Sequence, residues 1–226
     1  MSQPGDVLLE ALKEPDAPSE DLRRRLLEAL LPSPQARKMS YAEFLDWADE
    51  DTLAEWEDGE VVMSTPASRQ HQAISGFLYQ LLNTYVEVRR SGAAILPPFQ
   101  MKLVNSGREP DLIFVANQNL GRLKETYLDG PADLVVEIIS PESEGRDRGD
   151  KFYEYEKAGI PEYWLIDPRR ERVEFYQLDA RGQYHLIAPS AEGVYRSHIL
   201  PDFWLRVSWL WQPPLVLDVL RELKLT

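Results

Sequence analysis

Pro131-Ala132-Asp133-Leu134-Val135-Val136-Glu137-Ile138-Ile139-Ser140-Pro141 is the stretch on which the fold turns. From Leu134 to Ile139 the chain is apolar at every position except Glu137. A short run that is apolar at odd and even positions alike suits a central strand covered on both faces. A carboxylate inside such a strand costs several kcal/mol unless it is paired or holds a metal ion. The residues that predict the sheet therefore also nominate a functional group.

Downstream, residues 146–158 predict a helix closed by Gly159 and Pro161, then strands over 163–166 and 173–178. Upstream, residues 94–104 and 112–116 are strand-like runs. Before them lies the clearest helix, residues 67–90, ended at Gly92. Its Ile74, Phe77, Leu78, Leu81, Leu82, Tyr85 and Val88 recur at helical spacing. Ser40-Tyr41-Ala42-Glu43 has capping-box spacing and opens a short helix to Ala48; Asp58-Gly59 turns into a strand over 60–64. Pro213-Pro214 opens a last amphipathic helix through Leu220 and Leu223. The order predicts an α/β fold, a mixed β-sheet flanked by helices. Residues 6–31 carry Leu8, Leu9, Leu12, Leu22, Leu26, Leu27, Leu30 and Leu31 at helical spacing, interrupted at Pro15–Ser19 and ended at Leu31-Pro32-Ser33-Pro34. The expected division is an N-terminal helical appendage, 1–36, for docking or dimerisation or for packing on its own domain, and a main domain, 37–226.

Composition narrows the function. The 226 residues suffice for one sizeable core with a small appendage. The chain has no cysteine, so disulfides and thiolate metal sites are impossible. No apolar run approaches the roughly 18 residues of a membrane span, and the N-terminus lacks the basic region of a secretory signal. The expected location is cytoplasmic. Lys+Arg 25 against Asp+Glu 38 gives a net charge of −13. Affinity for nucleic acid comes mainly from cations on phosphates, so any such binding is expected to be weak, transient or assisted by a partner.

Asp111 follows Pro110 and starts the apolar run Leu112-Ile113-Phe114-Val115. Together with Glu137 it would offer a hard oxygen site suited to Mg²⁺, with Mn²⁺ as a substitute. A metal held there could polarise a phosphodiester and help generate the attacking hydroxide. Lys151, in the following helix, could hold the water and offset charge on the phosphoryl oxygens. Taken singly, Asp111 could cap a strand, Glu137 could be half of a structural pair with Lys151, and Lys151 could be a surface lysine. The joint pattern is what points to chemistry.

These blocks resemble the Uma-two family of restriction-endonuclease-like proteins, a branch of the PD-(D/E)xK nuclease superfamily. The resemblance runs over roughly residues 40–190. It rests on Glu55 with Gly59-Glu60, Pro66, His71, Pro110-Asp111, the run from Pro131 to Pro141, Asp147, Lys151, Tyr155, and the run from Gly159 to Pro168. It implies a restriction-endonuclease-like fold and a metal-dependent nuclease, with DNA as the first expected substrate. Asp111 and Glu137 would be the metal carboxylates, and the backbone carbonyl of Ile138 could complete the metal shell. Glu55, matched to an acidic residue on the first helix, could add a ligand or orient a water. His71 could touch phosphate or make a structural hydrogen bond. In the superfamily pattern the lysine stands two residues after the acid; here that position is Ile139, and Lys151 is the expected replacement.

Arg146 and Arg148 are candidate substrate contacts, and with Arg108, Lys151 and Arg89-Arg90 could form a basic rim, or could be ordinary surface arginines. A homodimer or a protein partner would fit an enzyme of this charge. The competing expectation is a non-catalytic binding or assembly module that keeps the nuclease fold.

Overall fold

The computed structural model describes residues 38–49, 52–63, 66–141 and 143–225. The expected helices within 6–31, and the appendage 1–36 as a whole, lie outside the described residues.

The chain runs α1 (Tyr41–Trp47), β1 (Ala54–Glu57), β2 (Glu60–Met63), α2 (Arg69–Arg89), β3 (Gly92–Ile95), β4 (Gln100–Lys102), β5 (Ser106–Arg108) and β6 (Leu112–Ala116). There follow a 3₁₀ turn (Asn117–Arg122), β7 (Tyr127–Asp129), β8 (Leu134–Ile138), α3 (Glu144–Arg148), α4 (Asp150–Ala158), β9 (Glu162–Asp167) and β10 (Arg172–Leu178). Last come β11 (Tyr184–Ile187), β12 (Val194–Arg196), β13 (Trp204–Arg206), a second 3₁₀ turn (Val207–Leu210) and α5 (Val216–Glu222).

The main sheet has the order β11-β10-β9-β8-β6-β3, and β8 lies at its centre with β9 parallel on one side and β6 antiparallel on the other. Every residue of β8 is buried, as expected for a strand covered twice. Alternation along it sends Leu134, Val136 and Ile138 into one core with the stripe Ile74, Phe77, Leu78, Leu81, Leu82 and Tyr85 of α2. Val135 and Ile139 enter a second core with Tyr155 of α4, Tyr163 and Leu165 of β9, and Met101 of β4. Glu137 is in phase with Val135 and Ile139 along the strand, so it faces the second core. A smaller sheet, ordered β2-β1-β5-β4-β7, lines that side.

Three sequence expectations change. Residues 94–104 divide into β3 and β4, which belong to different sheets. Pro97 and Pro98 separate them, and proline has no N–H to give a ladder. The helix expected over 146–158 is two helices meeting at Gly149, where an added Cβ would stand 2.8 Å from the Gly145 carbonyl oxygen. Val88 is half exposed at 51%, while Val86, four residues after Leu82, takes the buried place in the stripe. The capping box of α1 forms as read: Ser40 Oγ accepts from the Glu43 amide at 3.2 Å and Glu43 accepts from the Ser40 amide at 2.7 Å.

Candidate active site

β8 delivers Glu137 to the second-core side near the strand's C-terminal end. The carboxylate is 4% exposed. Its Oε1 accepts from Lys151 Nζ at 3.0 Å and from the Tyr155 hydroxyl at 2.6 Å. Lysine and tyrosine stand four apart on α4, which presents both to the strand. Asp111, just before β6, turns Oδ2 to the Ile138 amide at 2.7 Å and Oδ1 to His71 Nε2 at 3.1 Å. Asp111, Glu137 and the main chain of Ile138 are thereby joined, with His71 reaching in from the first turn of α2.

Glu55 does not lie on a helix, as the resemblance implied. It lies on β1 of the smaller sheet, where Glu55 and Val62 pair in an antiparallel ladder. Its Oε1 is 2.9 Å from Lys151 Nζ and accepts from the Glu109 amide at 3.1 Å. A β-strand brought in from a second sheet therefore supplies this acid.

The structure adds groups not nominated from sequence as part of the constellation. Asp147, at the end of α3, is 1% exposed and lies 3.4 Å from Lys151 Nζ. Arg108 is 2% exposed and holds Glu57 and Glu154 at 2.9 and 2.7 Å and Glu55 at 3.5 Å. Tyr155 was visible only as a matching position. For Arg108 no signal in the sequence marked burial, because Ser106-Gly107-Arg108 carries no apolar side chain to show periodicity.

The expected basic rim takes a different form. Arg108 is an internal clamp. Arg148 bonds Glu174 and lies 3.6 Å from Glu144 and 3.7 Å from Asp167, joining α3 to β9 and β10. A guanidinium engaged by three acids is not free for phosphate. Arg146 is half-buried. Arg89 sits roughly 27 Å along α2 from His71 at 1.5 Å per residue, outside any common rim.

Electrostatics set this site apart. Glu55, Glu137 and Asp147 surround the Lys151 ammonium, Glu55 also reaches Arg108, and Asp111 and Glu109 lie close by, with Asp111 adding like charge. Burial pushes Glu137 well above the usual carboxylate range; Lys151 opposes this, and the neighbouring acids reinforce it. Asp147 is raised for the same reasons, burial first. Glu109 is pushed to about 7 by burial and by the charge of Glu55. Burial also acts on Glu55, but Lys151 and Arg108 outweigh it and hold that acid below the usual range. Burial works against charging Lys151, yet Glu137, Glu55 and Asp147 keep the ammonium protonated. His71 is raised because its bond to Asp111 outweighs its burial.

Among the described residues no three His, Asp or Glu side chains form a ready-made metal cage. The donors nonetheless fit a Mg²⁺ ion, which takes one or two carboxylates and keeps several waters or substrate oxygens. Asp111 and Glu137 are joined through the Ile138 amide, the acids at this site outnumber its cations, and Asp147 Oδ1 is buried without a hydrogen-bond partner. No helix among the described residues is long and apolar enough to cross a membrane.

A family model for Uma2, described as "Putative restriction endonuclease", matches residues 41–208. The chain is 25% identical over 162 residues to an uncharacterized protein of Synechocystis sp., across 69% of this chain and 83% of that protein. A solved structure described as "a putative nuclease belonging to DUF820 from Anabaena variabilis" superposes with a TM-score of 0.65 at 20% identity, covering 77% of this chain and 98% of that one. At that identity the likeness is one of fold: a restriction-endonuclease-like mixed sheet flanked by helices.

Proposed function

The chain belongs to the Uma2 family of restriction-endonuclease-like proteins, and on that premise we propose that it is a divalent-metal-dependent nuclease acting on nucleic acid, with DNA the first substrate to test. One observation carries the reading: Asp111, Glu137 and Lys151, from three separate elements, meet around the end of β8 with more buried acid than the local cations neutralise.

In this reading Asp111, Glu137 and the Ile138 carbonyl would hold Mg²⁺, with Mn²⁺ as a substitute. The ion would supply Lewis-acid polarisation of a phosphoryl oxygen and a more acidic water. The protein's own groups do the rest. His71 and the Ile138 amide fix the plane of the Asp111 carboxylate. Tyr155 fixes Glu137. Lys151 offsets negative charge growing on the phosphate, in the place that a lysine at Ile139 would occupy in the superfamily pattern. Glu55, itself anchored by Arg108 and the Glu109 amide, orients that ammonium. Arg146 is the substrate contact to test first, since Arg148 is engaged by acids.

The net charge of −13 favours a second reading, an assembly module that keeps the fold. It also favours a nuclease that obtains affinity for nucleic acid from a homodimer or basic partner, with residues 1–36 as the docking appendage. That division is supported by the family match beginning at residue 41. Calorimetric titration of Mg²⁺ and Mn²⁺, with cleavage assays on linear, circular and single-stranded nucleic acids, separates the readings. The nuclease reading expects binding and cleavage in wild type and loss of both in the Asp111→Ala/Glu137→Ala double variant. Equal, negligible metal binding in both proteins without cleavage would sink it and leave the module.

A further inference from the structure

Lys151 stands among three carboxylates and makes hydrogen bonds to two. Its Nζ is 2.9 Å from Glu55 Oε1 and 3.0 Å from Glu137 Oε1, but 3.4 Å from Asp147 Oδ1. Asp147 is 1% exposed, and its Oδ1 has no hydrogen-bond partner. Nearly all buried polar atoms in native proteins are hydrogen-bonded, so a buried carboxylate oxygen that has an ammonium only at ion-pair distance calls for an explanation.

Glu137 presents the opposite condition. Its Oε1 receives both the ammonium and the Tyr155 hydroxyl. A divalent ion arriving at Glu137 would compete with those donors and repel the ammonium across a short, poorly screened distance. The ammonium keeps Glu55 but has a donor free for another acceptor. The backbone of Asp147 is held where its carboxyl lies beside the ammonium: its amide donates to the Ser143 carbonyl at 2.9 Å, and its own carbonyl accepts from the Tyr163 hydroxyl at 3.1 Å, while Ser143 also hydrogen-bonds the carboxyl. A shift of a few tenths of an ångström by the flexible lysine turns the 3.4 Å approach into a charge-assisted hydrogen bond.

We infer that the Lys151 ammonium is the resident cation of Glu137, and that Asp147 is the positioning residue that receives it when a divalent ion takes its place. The inference rests on the metal-dependent reading above and assigns Asp147 a role through Lys151, not as a ligand.

The test is a double-mutant cycle on the full chain, read by calorimetric Mn²⁺ binding and not by activity. Asp147→Asn is expected to weaken Mn²⁺ binding about tenfold when Lys151 is present, a typical coupling between linked sites. In the Lys151→Met background the same change should alter binding less than about twofold. Equal weakening in both backgrounds would make Asp147 a direct ligand and overturn the inference while leaving the metal reading intact. No weakening beside Lys151 would also overturn it. Absence of Mn²⁺ binding to wild type would remove the metal reading itself. Should Lys151→Met fail to fold by circular dichroism, the ¹⁵Nζ resonance of Lys151 replaces the cycle. At saturating Mg²⁺ it should move in wild type to a position that it does not reach in Asp147→Asn; a resonance that is still in wild type, or reaches the same position in both, overturns the exchange.

Discussion

Glu137 on β8 and Glu162 on β9 sit on neighbouring parallel strands, 4% and 0% exposed, and nothing in their local sequence separates them. Their surroundings do. Glu162 faces the α2 side, where it accepts from Trp164 Nε1 and the Tyr195 hydroxyl, each at 2.7 Å. It also accepts from Ser197 Oγ and the His198 amide, each at 2.9 Å, and from the Ile199 amide at 3.2 Å. All five donors are neutral, and four of them tie β9 to the segment around β12 and β13. Glu137 faces the other side, where its partners are an ammonium and a phenol, and Asp147, Asp111 and Glu55 crowd it with like charge. A buried acid surrounded by donors is a fastener. One surrounded by other acids holds an electrostatic demand that a cation can meet.

The largest effect that could break this contrast is on catalysis. Glu137→Gln is expected to lower cleavage by about 10³-fold or more, while changing stability by less than about 1 kcal/mol, since Lys151 keeps Glu55 and Asp147. A nuclease assay paired with thermal melting reads both; collapse of the fold in this variant would make Glu137 a fastener too. Next, Glu162→Gln should cost about 3 kcal/mol of stability, because its amide nitrogen would face donors inside a closed pocket. Below its lowered melting temperature, the metal affinity should equal that of wild type. Altered metal binding in the folded variant would end the division of labour.

The smallest effect sharpens the electrostatic half. Glu109 has a folded pKa of about 7 against an ordinary value of 4.5. Between these values the folded state binds more protons than the unfolded state, so this group makes stability fall as pH rises from 4.5 towards 7. Above that window the loss is complete. Glu109→Gln should therefore gain on the order of 1 kcal/mol at neutral and higher pH, discounted for partial exposure, and nothing below the window. Urea unfolding across pH checks it; an unchanged slope would show that the acid excess is not felt at Glu109.

The main sheet and its long helix were legible because their signals are local. Leu134–Ile138, Leu112–Ala116 and the α2 stripe declare burial by periodicity, and Ser40 with Glu43 declares a helix start by spacing. The smaller sheet was largely missed. Its strands β1, β5 and β7 are three or four residues long and carry Glu55, Glu57, Ser106 and Arg108, so neither length nor apolar alternation marks them. The helix expected for Glu55 came from the family resemblance, and the missed strand β5 is why Arg108 was expected on a surface rim.

From its order of residues alone the chain specifies that β8 is central, that Glu137 interrupts it, and that Asp111 and Lys151 flank it at distances a compact α/β fold can close. Those are consequences of side-chain periodicity and of the cost of burying charge, which act within a few residues. Which buried acid becomes a fastener and which a cation site depends on groups brought from far along the chain: Tyr195, Ser197, His198 and Ile199 to Glu162, and Glu55, Asp111, Asp147 and Lys151 to Glu137. Coulomb and desolvation energies depend on distance in space and on exclusion of water, and both quantities come into being only when the strands and helices pack.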